Sequence, residues 1–471
     1  MRSLPRGRHF AVTWSIPDGF GGMTRAMLQR SQAFVRLGGV EVDVLTFDAR
    51  PDYPEVERRL RDVGDLADGM RLRNLYDWLR EEPLPGGSLR LELHPFTPLE
   101  PREPEPGRLT RTRTAGDGTV LQVDHYRRNG TLLLTDRRDV RERGVLGGRS
   151  VVLCDEAGRP VRSWGRIHHL YTAWLDRLTR RTTSYMIVDS KTIARFMLTY
   201  RRPHVTTLHV VHNSHLGADG ALRSTRREVL ENVDGFDSVV LLTERQRDDL
   251  RALLGRGTNL SVIPNPSPPL DPGGDERDPR RGIVLASLTG RKRVAHAIRA
   301  AAAAGVGLDI YGDGELRDRL EELAAQTGGD IRFHGHHPDA RAELARASFL
   351  LATGSAEGLP LVLVEAMSAG CVPIAYDVPY GPSDLIDGTN GILVPSGDID
   401  GLVDAIRTLV AESPARVARR RRQARHTAQQ FTDARITARW SRELRAAARR
   451  HARYAAALHR PAGGTAAPRA S

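Results

Sequence analysis

Residues 348–377 read SFLLATGSAEGLPLVLVEAMSAGCVPIAYD, a strand, a turn, a helix and a second strand. "SFLLATG" is a short apolar run ending in glycine, the pattern of a buried parallel strand. "SAEG" is the turn, and Pro360 suits the first helical position, where a missing N–H costs nothing. "PLVLVEAMSAG" predicts a helix that stops at Gly370, and "CVPIAYD" the next strand. Two strands joined through a helix imply a parallel sheet. Two glutamates stand out, Glu357 and Glu365, eight positions apart. Glu357 comes just before the helix N-terminus, where a dipole-stabilised cap residue is the plain alternative to a functional one. Glu365 lies two turns in, on an apolar face, where a carboxylate needs a partner.

The same alternation extends outward. Strands "GIVLASL", "GLDIYG" and "DIRFHG" are separated by "RVAHAIRAAAAAG" and "ELRDRLEELAAQ", and "DARAELARA" reads as a further helix. "DIDGLVDAIRTLVAES" and the Arg/Ala-rich stretch to about Leu458 close the chain as helices, and a disordered tail is expected beyond. Upstream, "PSPPLDPGGDERDPRRG" marks the clearest domain boundary. Before it, "HFAVTWSI", "GFGGMTRAMLQRSQAFVRLGG", "VEVDVLTFD" and "PEVERRLRDVGDL" repeat the strand–helix scheme, which resumes at "SYMIVDS". Between them lie a Pro/Gly-rich stretch and two hairpin patterns, one turning at Asn129-Gly130. The expected organisation is α/β. One doubly wound domain spans 1–85 and 166–270, with a β-rich insertion at 86–165. A second domain spans 271–425, followed by helices at 426–458 and a tail at 459–471.

Composition narrows the function. The chain has 471 residues and 40% hydrophobic content. It has no apolar run near the roughly 18 residues of a membrane span and no apolar signal-peptide core, so a cytoplasmic protein is expected. Cys154 and Cys371 are far apart and predict reduced thiols rather than a disulfide or zinc site. The net charge of +12 points to a polyanionic partner: nucleic acid, an anionic membrane face or an acidic polymer. Nucleic acid is disfavoured, since no recognisable binding motif is present and aromatic residues are only 5%. The only two lysines are Lys191 and Lys292 in an otherwise arginine-based chain, which singles out sites that need a compact ammonium.

Ligands of doubly wound sheets bind outside the carboxyl ends of the strands. Several charged or glycine-rich turns fall there. Arg291, Lys292 and Arg293 form the turn after "GIVLASL", where cations meet a diphosphate or simply face solvent. Gly21 and Gly22, after the first strand, let backbone N–H groups approach a phosphate, although they do not make a dinucleotide fingerprint. Gly312 sits in the similar turn "IYGDGEL". "VVHNSH" places His212 and His215 at a strand end; with no third ligand at a recognisable spacing, hydrogen bonding to a ligand hydroxyl is favoured over a metal.

Together these segments resemble the retaining glycosyltransferases of family 4, which have the GT-B fold. "EGLPLVLVEAM" matches their E-x7-E motif, and "DGTNGILV", "LDIYGDGEL", "RFHGHH" and the Lys292 turn follow the family's order. "GGMT", the β insertion, "VHNSH" and "YGPSDLI" resemble more narrowly the poly(glycerol-phosphate) α-glucosyltransferases, wall teichoic acid glycosyltransferases and related protein O-GlcNAc transferases.

The resemblance implies that Glu357 faces the donor sugar as catalytic carboxylate, Glu365 holds the ribose, and Lys292 neutralises the departing diphosphate. Gly21, Gly22 and the backbone of Gly358 and Leu359 line the donor, with Arg293 and Gly312 in the same donor-binding set. His212 touches the sugar and is counted with Glu357 and Lys292 as catalytic, and the backbone near His336 meets the base. The implied co-substrate is a UDP-sugar carrying glucose or N-acetylglucosamine, with no metal or other cofactor. The implied acceptor is polymeric, such as a teichoic acid, or a protein, met at the cytoplasmic membrane face. Ser287 departs from the family, which carries arginine five positions before the lysine; Arg291 or Arg293 would have to compensate. The departure favours the rival reading, a non-catalytic GT-B partner subunit. The β insertion would dock a partner, a second copy or a polymer under either reading.

Overall fold

The computed structural model describes residues 3–50, 52–82, 84, 109–138, 149–217, 220–255, 259–272, 277–337 and 339–458. Eighteen strands are described: β1 (Arg8–Val12), β2 (Val42–Thr46), β3 (Met70–Asn74), β4 (Thr110–Thr114), β5 (Val120–Tyr126), β6 (Leu132–Arg137), β7 (Ser150–Cys154), β8 (Pro160–Trp164), β9 (Ser184–Val188), β10 (Val205–Val211), β11 (Ser238–Leu241), β12 (Leu260–Val262), β13 (Arg281–Leu285), β14 (Gly307–Tyr311), β15 (Ile331–Gly335), β16 (Phe349–Ala352), β17 (Val372–Asp377) and β18 (Ile392–Pro395). They form three sheets, in the orders β12-β11-β10-β9-β1-β2-β3, β15-β14-β13-β16-β17-β18 and β4-β5-β6-β7-β8.

All strand pairs of the second sheet are parallel. Its strands β16 and β17 are almost wholly buried, β14 buries only alternate residues and β15 only its last, and Val284, Ile298, Leu308, Phe349, Ile374 and Ile406 share one buried core. In the first sheet β1 pairs with β2 and β9, and β10 with β11, again in parallel. The helix Gly22–Gly38 leaves β1 and ends at Gly39, in the left-handed conformation that glycine adopts without a Cβ penalty. The fold is GT-B: two Rossmann-like α/β sheets, each built by strand–helix alternation.

The third sheet is the insertion. Its strands are antiparallel throughout, and β5 turns into β6 over Asn129-Gly130 with Gly130 at φ 81°. Asp124 is buried in it, accepting from Gln122 Nε2 and Thr135 Oγ1 at 2.8 Å each. The expected insertion stretches 86–108 and 139–148, linker residues 273–276 and the tail 459–471 lie outside the described residues.

Some elements differ from the sequence reading. "DARAELARA" forms only a 3-10 turn, Ala342–Ala345, where a longer helix was expected. Pro360 is the N-cap and the helix starts one residue later, Leu361–Ala369. The strand β3 and the helices Leu75–Glu81 and Ile167–Thr179 were not legible. β3 reads "MRLRN", with arginines on alternate positions.

Packing divides the chain into two compact units. One comprises Met1–Pro5, Gly21–Gly39 and Leu208–Arg450; the other comprises Arg6–Phe20, Val40–Thr207 and His451–Ser471. Every contact of the candidate site lies in the first unit. Among the described residues no helix is long and apolar enough to cross a membrane.

Candidate active site

In the second sheet the strand order reverses between β13 and β16, its topological switch point. The turn after β13 carries Lys292, and the turn after β16 carries Glu357. Lys292 Nζ donates to Glu357 Oε1 at 2.6 Å, and Arg291 stands 3.4 Å from the same oxygen. The Glu357 side chain is only 15% exposed, so its charge is held by these two cations rather than by water. The two turns are tied together. Thr353 Oγ1 lies 2.9 Å from Lys292 O and 3.0 Å from Arg293 O, and Ser355 N donates to Arg291 O at 2.9 Å. Beside the pair, a small pocket is lined by Val284, Ala286, Thr353, Gly354, Leu363 and Tyr376, among others.

The three basic residues of the turn diverge. Arg291 also donates to Ala356 O at 2.9 Å, which keeps it at the carboxylate. Arg293 takes a left-handed φ of 47° and reaches Ser396 Oγ at 3.2 Å, away from Glu357. Ser287 leaves this cluster to Arg291 and Lys292. Tyr376, buried in the pocket wall, meets His296 Nδ1 at 2.8 Å. Burial pushes its hydroxyl up to about 12, and burial and the Arg293 charge hold the imidazole below its usual range.

Two close backbone approaches shape the rim. A Cβ on Gly358 would lie 2.0 Å from His212 O, and one on Gly312 would lie 1.9 Å from Ala286 O. Only glycine lets the "EGLP" turn reach the strand end that carries His212, which is itself buried. Leu359 is buried beside it. Gly312 N donates to Gly335 O at 2.8 Å, which sets the exposed His336 next to the Gly312 turn. Gly21 and Gly22 cap their helix and are exposed, with nothing within 4 Å of a Cβ at either position.

Glu365 is buried at 7% exposure and ion-paired with Arg341. The expectation that a buried glutamate needs a partner is met by a residue the sequence did not single out. Its signal was weak, because Arg341 lies in the stretch read as an ordinary helix. Tyr380 and His215 form a second unforeseen feature. Their rings stack at 5.3 Å and 8°. Glu357 N donates to Pro379 O at 3.2 Å, and Tyr380 N returns a bond to Glu357 O at 3.0 Å. The catalytic-candidate turn is thus stapled to "VPYGPS". Burial lowers His215 to about 4, and burial together with nearby Asp249 raises the Tyr380 hydroxyl. Arg245 extends the clasp, donating to Ser383 Oγ at 3.0 Å and standing 3.5 Å from Asp377.

The chain resembles known proteins in sequence and in fold. Residues 283–412, which run from within β13 through β18 and include Lys292 and Glu357, match the family of glycosyl transferases group 1. The poly(glycerol-phosphate) alpha-glucosyltransferase of Bacillus subtilis is 24% identical over 491 residues, covering 88% of this chain and 71% of that protein. A crystal structure of a mutant of Staphylococcus aureus TarM in complex with Fondaparinux, alpha-GlcNAc-glycerol and UDP superposes with a TM-score of 0.70 at 19% identity, covering 93% of this chain and 100% of that one. A chain of the GtfA/B complex gives 0.68 at 18% identity, covering 94% and 100%.

Proposed function

From the premise of a GT-B fold whose second half carries the group 1 glycosyltransferase pattern, we propose that the chain is a retaining glycosyltransferase of family 4. It moves glucose or N-acetylglucosamine from a UDP-sugar to a polymeric anionic acceptor of the poly(polyol phosphate) class. One observation carries the reading: two cations converge on one carboxylate oxygen at the switch point of a nucleotide-binding type of sheet. Breaking the sugar–phosphate bond builds positive charge on the anomeric carbon and negative charge on the β-phosphate. Lys292 and Arg291 are placed to turn from Glu357 toward that phosphate as its charge grows, and one preorganised donor is worth roughly 3–4 kcal/mol. Glu357, released from its cations, then faces the sugar.

The acceptor oxygen bonds the anomeric carbon on the face the phosphate leaves, and its proton passes to the departing phosphate, which retains configuration. Glu365 takes the ribose hydroxyls, with Arg341 sharing its carboxylate. Gly358 and Leu359 line the diphosphate, as do Gly21 and Gly22. His212 meets the sugar, and the backbone at Gly312 and His336 the base. The chemistry asks for no metal. The similarity to the Bacillus enzyme and the net charge of +12 support the anionic acceptor. We place the reaction in the cytoplasm, at the inner face of the membrane.

The test is transfer from UDP-glucose and UDP-N-acetylglucosamine to poly(glycerol phosphate), with the product's anomeric configuration read by NMR. An inverted product, or a Glu357→Gln variant as fast as the parent, sinks the proposal. Ser287 and the likeness to a chain of the GtfA/B complex favour a second reading, a non-catalytic partner subunit that assembles through the insertion. Donor hydrolysis by the pure chain excludes it.

A further inference from the structure

The last described helix, Asp433–Leu458, carries a feature that the reaction above does not use. At 3.6 residues per turn, Arg435, Arg439, Arg442 and Arg449 fall within an arc of roughly 80° and along roughly 21 Å of the axis. Arg435, Arg442 and Arg449 are exposed and Arg439 is half-buried. The opposite face packs inward through Ile436, Trp440, Leu444 and Ala447. The helix's acids are turned away from the stripe: Asp433 pairs with Arg36 and Glu443 with Arg450. Arg435 bonds Gln430, a neutral group. Among the described residues no salt bridge reaches Arg439, Arg442 or Arg449. An unneutralised single-sign stripe repels itself and persists at a cost unless an anion lies along it.

We propose that this stripe is a holding site for the acceptor, a linear chain of phosphodiesters laid along the helix. The inference rests on the acceptor class proposed above. A line of guanidinium groups at spacings of three, four and seven residues suits successive phosphates of an extended chain, each taking a charge-assisted pair. An anionic membrane fits less well. Interfacial helices insert an apolar face, and here that face is packed against the protein body while the stripe's own face carries arginine and alanine. Nucleic acid is disfavoured too, because the stripe offers no aromatic platform for bases.

The test compares the parent with the fourfold variant R435Q/R439Q/R442Q/R449Q and with its fourfold Arg→Lys counterpart. Binding to poly(glycerol phosphate), to phosphatidylglycerol vesicles and to single-stranded DNA is measured over a salt series. The glutamine variant is expected to lose at least tenfold in polymer affinity at low salt. Its log K against log salt slope should flatten by about 3, at about 0.7 per phosphate contact. The lysine variant keeps the affinity. Turnover on monomeric glycerol phosphate is unchanged in both, while KM for the polymer rises in the glutamine variant alone. Polymer binding equal to the parent overturns the proposal. So does a loss confined to vesicles or DNA, or an equal loss in the lysine variant. Binding is read without turnover, so a chain that transfers to no acceptor defeats the enzymatic reading separately.

Discussion

Lys292 and Glu357 stand on two separate turns, and their side chains meet at 2.6 Å. If Lys292 supplies charge to the departing phosphate, Lys292→Ala lowers kcat by about 100- to 1000-fold and weakens binding of UDP, whose terminal phosphate carries that charge, by less. Steady-state kinetics with UDP alone as competitive inhibitor separates the two. His215 poses a different question at the same scale. Its folded value of about 4 lies below the ordinary 6.5, because burial disfavours the charged ring. Stability from keeping it neutral is therefore complete above about pH 6.5 and is lost as pH falls toward 4, amounting to about 3 kcal/mol. His215→Phe keeps the stack on Tyr380 and removes the titration. Its melting temperature should fall less between pH 7 and pH 4 than the parent's; equal slopes would show that His215 does not contribute.

The turns are positioned by elements rather than by their own sequences. The 3-10 turn Gly290–Lys292 has no side-chain cap and leans on β16 through the Thr353 hydroxyl, shared between two carbonyls. Thr353→Val removes that donor without changing the side chain's shape. It should cost about 1–2 kcal/mol in unfolding free energy. It should also lower kcat more than it raises KM, because the turn that carries Lys292 loosens. A drop in melting temperature with unchanged kcat would show that the turn is held by other contacts. The helix Leu361–Ala369 was legible from its apolar run and terminal glycine. Its partner element was not, because nothing in "DARAELARA" distinguishes an arginine that reaches Glu365 from one that faces water.

On the scale of the whole chain, donor binding must stabilise the fold by mass action. A UDP-sugar at 100 times its Kd should add about 2.7 kcal/mol, seen as a rise in melting temperature that scales with ligand concentration. GDP- and ADP-sugars serve as controls, and an equal shift with all three would speak against uridine selectivity. Strand–helix alternation was enough to read two parallel sheets and an inserted hairpin region, because period and turn chemistry are local properties of the chain. It was enough, too, to bring Glu357 and Lys292 to strand ends, since every β-to-α turn of a parallel sheet emerges at one edge. What pairs across that edge is not local. Strand order sets β13 beside β16, and only then do residues 65 positions apart meet. Likewise Arg291, not Arg293, stands at the carboxylate, Arg341 neutralises Glu365, and Tyr380 lies over His215. These choices depend on backbone direction at single turns and on packing between distant segments, energies that no stretch of sequence carries by itself.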